Sequence, residues 1–260
     1  MNIPIRFIQN MYPMYPETDG LPMADNTLQY RWIVTIQGGL DAQYGHDPNV
    51  FVAGDLFWYP VEGHPEIVKA PDVMVALGRP REDRRSYMQW LENNIAPQVV
   101  FEILSPSNRA AAMGDKFEFY QRYGVEEYYV YDPDPPDVEL TGWQRQGEQL
   151  VEISQMDGWV SPRLGIRFDM SGPELQIFGA DGRRFLSYLE VIAQRDQEER
   201  DKEQAQQQAA QAQQQAAQAQ QQAAQAQQQA AQAQQQSEEA SRRAERLAAQ
   251  LRALGIEPEA

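Results

Sequence analysis

The chain has 260 residues, no cysteine, and 38 acidic against 22 Lys and Arg residues, for a net charge of −16. This composition excludes a disulfide framework, a thiolate metal site and a thiol nucleophile, and no apolar run approaches the roughly 20 residues that span a bilayer. The opening Met1-Asn2-Ile3-Pro4-Ile5-Arg6-Phe7 lacks a long apolar core, so a cytoplasmic protein with neither leader nor membrane segment is expected.

Residues 1–24 are rich in Pro and Met without periodicity and read as a loosely attached N-terminal arm. From Asn26 to Tyr44, Leu28, Trp32, Ile33, Ile36 and Leu40 recur at helical spacing, with Gln29 and Gln37 as the inward polar residues. Val50 to Tyr59 reads as a strand broken at Gly54-Asp55, where a bulge or hairpin residue is a better reading of Asp55 than a metal ligand. Asp72 opens another strand running to Leu77, followed by a loop carrying Arg79, Arg81, Arg84 and Arg85. That loop is either an ordinary solvated one or a contact for a phosphate backbone. Tyr87 to Leu91 predicts a short helical turn, and Val99 to Leu104 a strand of β-branched and aromatic residues.

A helix is predicted from about Arg109 to Tyr123, capped by Ser107 or Asn108 and closed by Gly124. A strand from Glu126 to Tyr131 follows, and the intervening helix makes this a right-handed crossover. Past the turn Asp132-Pro133-Asp134-Pro135-Pro136, the segments Val138–Gln144 and Gln149–Gln155 form a hairpin around Gln146-Gly147, with a further strand at Leu164–Phe168. Trp143 and Trp159 are expected to cover an edge or open face of the sheet. His46 and His64 sit in loops without metal-ligand spacing.

Two acids intrude on apolar strands. Glu102 lies mid-strand and shares a face with Val100 and Leu104, while Val99, Phe101 and Ile103 face the other way. A carboxylate is costly to bury alone and needs a cation or donors. Lys116 falls inside the apolar stripe Ala112, Met113, Phe117 and Tyr120 of the following helix, so it is a candidate partner. Asp72 is the second acid. Two carboxylates and an amine suit a divalent cation such as Mg²⁺ or Mn²⁺, which favours oxygen ligands and accepts phosphate oxygens as well. The bland alternative is a structural buried ion pair.

In order along the chain, Pro71-Asp72-Val73, then Val100 to Asn108, then Lys116, Tyr120 and Gly124 to Pro133 resemble the restriction-endonuclease-like domain family of the PD-(D/E)XK nuclease superfamily. The resemblance covers roughly residues 20–190. It implies an α/β core with a mixed central sheet flanked by helices over residues 25–184, with the C-terminal hairpin as an addition. It also implies a metal-dependent endonuclease acting on DNA, with Mg²⁺ or Mn²⁺ held by Asp72, Glu102 and the Ile103 carbonyl. The family's catalytic lysine is taken to have moved from the strand to the helix, so Lys116 stands in for the position occupied by Leu104, with Tyr120 as support. Many members carry an aspartate four residues before this lysine; this chain has Ala112.

From residue 185 onward the composition changes. A seven-residue Gln/Ala repeat runs from about Ala205 to Gln236, with Ala209, Ala216, Ala223 and Ala230 alternating with Ala212, Ala219, Ala226 and Ala233. The same frame continues to Ala240, Ala244, Leu247, Leu251 and Leu254, which predicts a heptad coiled coil over 185–260 that joins copies of the chain. Such pairing would let two sites address opposite strands. The competing expectation, favoured by the acidic balance and Ala112, is a nuclease-like domain without activity that serves as a coiled-coil scaffold.

Overall fold

A computed structural model of the chain describes residues 15–18, 20, 24–105, 111–136 and 138–253, without the side chains of 111–113. The expected caps Ser107 and Asn108, the Ala112 and Met113 side chains, Leu254 and most of the N-terminal arm lie outside the described residues. By its internal contacts the chain divides into two units, with the boundary between Ile192 and Ala193.

Helix α1 (Thr27–Gln43) starts where Asn26 accepts a hydrogen bond from the Gln29 N–H, satisfying one of the first-turn donors. Strands β1 (Val50–Gly54), β2 (Trp58–Tyr59), β3 (Val73–Leu77) and β4 (Tyr87–Met88) precede a 3₁₀ turn at Gln89–Glu92. Then come β5 (Val99–Ile103), α2 (Ala111–Tyr123), β6 (Glu127–Asp132), β7 (Glu139–Gln146), β8 (Gln149–Glu152), β9 (Arg167–Asp169), β10 (Gln176–Phe178) and α3 (Tyr188–Ala253). The main sheet is ordered β1-β3-β5-β6-β7-β8. Its β5–β6 pair is parallel, as the α2 crossover requires, and its other pairs are antiparallel.

Alternation along the central strands separates two cores. Val73, Val75, Val99, Phe101, Tyr129 and Tyr131 pack under Trp32, Ile33, Ile36 and Leu40 of α1. Met74, Val100, Tyr128 and Val130 pack on the opposite side with Phe119 and Tyr120 of α2. Glu102 belongs to the second face by the same count. The Gly38-Gly39 pair does not end α1: a Cβ at Gly39 would lie 2.2 Å from the Phe185 ring, so glycine lets that ring seat against the helix.

Several sequence-based expectations are corrected. The turn expected at Tyr87–Leu91 begins instead as β4, which pairs in parallel with β2, and only then turns at Gln89–Glu92. The strand expected at Leu164–Phe168 forms later, at Arg167–Asp169, paired with β10, which periodicity did not mark. Tyr15 is buried between Tyr59 and Trp90 at ring-centre distances of 5.0 and 5.1 Å, which anchors the described end of the arm. The expectation for the tryptophans holds: Trp143 stacks on Tyr128 and meets Phe117, and Trp159 donates to the Tyr129 hydroxyl, so both pack on the faces of the main sheet.

The tail forms one 66-residue helix with no buried residue. Among the described residues, no helix is long and apolar enough to cross a membrane.

Candidate active site

The site is built by strand register. β3 and β5 are antiparallel with Val73 across from Phe101 and Met74 across from Val100. Continuing the count by one residue puts Asp72 across from Glu102, where facing residues stand about 5 Å apart at Cβ. Asp72 is 8% and Glu102 3% exposed. The Ile103 N–H donates to Asp72 Oδ2 at 2.6 Å, which fixes the aspartate against the end of β5.

Helix α2 supplies the counter-groups. Lys116 Nζ donates to Glu102 Oε2 at 2.6 Å, and the Tyr120 hydroxyl donates to Glu102 Oε1 at 2.5 Å. The helical spacing of four residues puts both donors on one face, one turn apart. The Lys116 side chain remains 22% exposed, so the amine bridges the buried glutamate and the surface. Trp58 stacks flat on Tyr120, 6.2 Å between ring centres, and holds the phenol in place.

The electrostatics follow from two acids sharing one amine. Burial, then the neighbouring Glu102 charge, pushes the Asp72 carboxyl up to about 8, against the opposing pull of Lys116 and the Ile103 N–H. Burial alone would lower the Lys116 amine; the charges of Glu102, Asp72 and Asp55 outweigh it and hold the amine above its ordinary value. Burial and Glu102 drive the Tyr120 phenol well above its usual range, which keeps it a donor.

Asp72, Glu102, Lys116 and Tyr120, far apart in sequence, therefore meet in one place. The Ile103 carbonyl sits beside them and accepts from the Gln29 Nε2 at 3.0 Å. Gln29 is itself buried and uses its own carbonyl to accept from the Asp25 N–H, so it orients this backbone oxygen. Its inward position was readable from helical spacing; its partner was not, because the partner lies 74 residues away. Asp55 occupies the left-handed region at φ 46° and donates its N–H to Pro71 and Asp72 carbonyls. It is exposed but near enough for its charge to act on Asp72 and Lys116.

An oxygen-only donor set with one acid more than it has cations matches what a hard divalent ion requires. Among the described residues, no third His, Cys, Asp or Glu joins the two acids as a metal cluster. Water and substrate oxygens would complete the shell, as is usual for Mg²⁺.

The arginine loop does something other than offer a basic patch. Arg79 and Arg84 both bind the buried Glu92, through Nε at 2.8 and 2.6 Å. Arg84 lies 3.9 Å from the centre of the Phe51 ring. Arg81 pairs with Asp41, Arg85 with Glu17, Arg183 with Asp181 and Arg184 with Glu190. His64 pairs with Glu66 on the surface.

The Uma2 family model, described as "Putative restriction endonuclease", matches residues 26–177. A crystal structure described as that of a putative nuclease belonging to DUF820, from Anabaena variabilis ATCC 29413, is similar at 14% identity and a TM-score of 0.39. The similarity covers 56% of this chain and 79% of that one. No curated protein matches. The family match spans more than half of the sequence and contains Asp72, Glu102, Lys116 and Tyr120, and the chain belongs to the Uma2 restriction endonuclease-like family.

Proposed function

We propose that the protein is a metal-dependent deoxyribonuclease that hydrolyses phosphodiester bonds in DNA, with Asp72, Glu102 and Lys116 as its catalytic residues. The observation that carries this reading is the convergence of two buried carboxylates, from paired strands, on a single helix-borne lysine. Asp72, Glu102 and the Ile103 carbonyl would hold Mg²⁺ or Mn²⁺. When bound, the ion would lower the pKa of a water and stabilise charge on the phosphate.

The protein's own groups do the rest. Lys116, with its amine charged and partly exposed, turns from Glu102 toward the attacking water or a phosphate oxygen. Tyr120 keeps Glu102 in place as the lysine moves, since its hydroxyl holds the other carboxylate oxygen. Gln29 fixes the direction of the Ile103 carbonyl. A cytoplasmic setting belongs to the same proposal, because a restriction-type activity acts on DNA there. The Gln/Ala helix pairs copies of the chain as a coiled coil, a reading supported by its continuous heptads.

A second reading has its own support. The exposed arginines of the loop are neutralised within the chain, and the net charge of −16 repels a polyanion. A scaffold that retains the nuclease fold without turnover would look like this. Plasmid cleavage in Mg²⁺ or Mn²⁺ separates the two. Wild type should nick and linearise the plasmid while Glu102→Ala and Lys116→Ala do not. Equal nicking by all three proteins would assign the activity to a contaminant and leave the scaffold reading standing.

A further inference from the structure

We infer that the C-terminal helices pair antiparallel, so that the start of α3 in one copy packs against its end in a second copy. The inference rests on the coiled-coil reading and adds its direction. Carrying the alanine frame backward from Ala209 passes through Ala205, Lys202, Glu198 and Arg195 and reaches Val191 and Tyr188. Carried forward, it reaches Leu247 and Leu251. Of the four large apolar side chains left exposed on α3, Tyr188 (69%), Val191 (48%) and Leu247 (53%) lie in this seam, two at one end and one at the other, and Leu189 (77%) lies beside it.

The seam charges decide the direction. In a parallel, in-register pair, Arg195, Glu198 and Lys202 each face their own copy across the seam, which stacks three like-charge contacts. In an antiparallel pair that sets Tyr188 against Leu247, every a position from Tyr188 to Ala244 meets a d position of the second copy, and Leu251 lies past the last pair. Arg195 then faces Ala240, Glu198 faces Ser237 and Lys202 faces Ala233. Small partners leave room for these long side chains to reach water.

The charge along the helix favours the same direction. Residues 190–203 carry six acids and three bases, a net of −3; residues 204–237 carry none; residues 238–252 carry three acids and four bases, a net of +1. Parallel pairing places −3 beside −3, and antiparallel pairing places −3 beside +1. The alanine seam buries little area per residue, so the apolar residues at both ends supply much of the attraction in either direction, and the choice between directions rests on the charges. Tyr188 and Leu247 stand 59 positions apart, so the two helix starts would be held about 89 Å apart at 1.5 Å per residue.

The absence of native cysteine makes the test direct. Val191→Cys and Ala244→Cys are made separately in the full chain, oxidised alone and as an equal mixture, and run on a non-reducing gel. The mixture should crosslink strongly and each variant alone only weakly. Strong self-crosslinking of each variant with no mixed product would overturn the antiparallel direction and leave tail pairing intact. A dimer in sedimentation that crosslinks in neither experiment would overturn the direction and register together. A wild-type monomer at tens of micromolar would remove the coiled coil itself, and the inference with it.

Discussion

At the Asp72–Glu102–Lys116 cluster two carboxylates meet one amine; at the Glu92–Arg79–Arg84 cluster two guanidiniums meet one carboxylate. Both are buried in the N-terminal unit. The arginine cluster is closed. Arg84 also donates to the Pro80 and Glu82 carbonyls and lies over Phe51, so its charge has partners on every side. The acidic cluster is left short of a cation, and its lysine reaches the surface. Burial of charge therefore marks two different things in this molecule, a clamp for the loop after β3 and the cluster to which the proposal assigns the chemistry. The sign of the surplus tells them apart.

Breaking the closed cluster should affect stability most. Glu92→Ala strands two guanidiniums in the interior and should lower unfolding free energy by about 3–5 kcal/mol, read by urea titration. A loss below about 1 kcal/mol would mean that the arginines find water easily and that the cluster is no clamp. Glu102→Gln should keep the fold, since its amide oxygen still accepts from Tyr120, yet lower metal-dependent cleavage by roughly 10²–10³-fold. A variant that cleaves like wild type would remove Glu102 from the chemistry.

Asp72 sharpens the contrast through pH. Its native carboxyl titrates at about 8 against an unfolded value near 3.8, so the native chain holds the extra proton between them. In the metal-free protein the contribution of Asp72 to stability should be fullest below the unfolded value and be lost as pH rises toward 8, by at most about 1.4 kcal/mol per unit. Asp72→Asn should remove this slope and, in chelator at pH 8, stabilise the fold by about 1–3 kcal/mol. An unchanged slope would show that Asp72 is not held protonated. Smallest of all, Arg81→Ala breaks an exposed pair with Asp41 and should shift stability by less than about 0.5 kcal/mol, measured the same way.

Much of this was legible in the sequence, and the limits have physical causes. The helix and strand periods located α1, α2 and the central strands to within a few residues, because each buries one regular face. Alternation also placed Glu102 on the α2 side, and helical spacing placed Lys116 and Tyr120 toward it. The arginine loop was not readable. Pairing of Arg79 and Arg84 with Glu92 depends on how an irregular segment folds back, and no period records that. Nor does sequence distinguish Glu102 from Glu127, an equally buried glutamate one strand over. Glu127 accepts from the Tyr129 and Ser161 hydroxyls and the Arg163 N–H, neutral donors that leave it no lysine to share. The difference is one of company, and company is tertiary.

Calorimetric titration of Mn²⁺ into the wild type, Asp72→Asn and Glu102→Gln addresses the central assignment most directly. The wild type should show one saturable binding event, and both variants should lose at least about tenfold in affinity, a difference of about 1.4 kcal/mol. Binding that is equally tight in all three proteins would place the ion elsewhere and contradict the assignment.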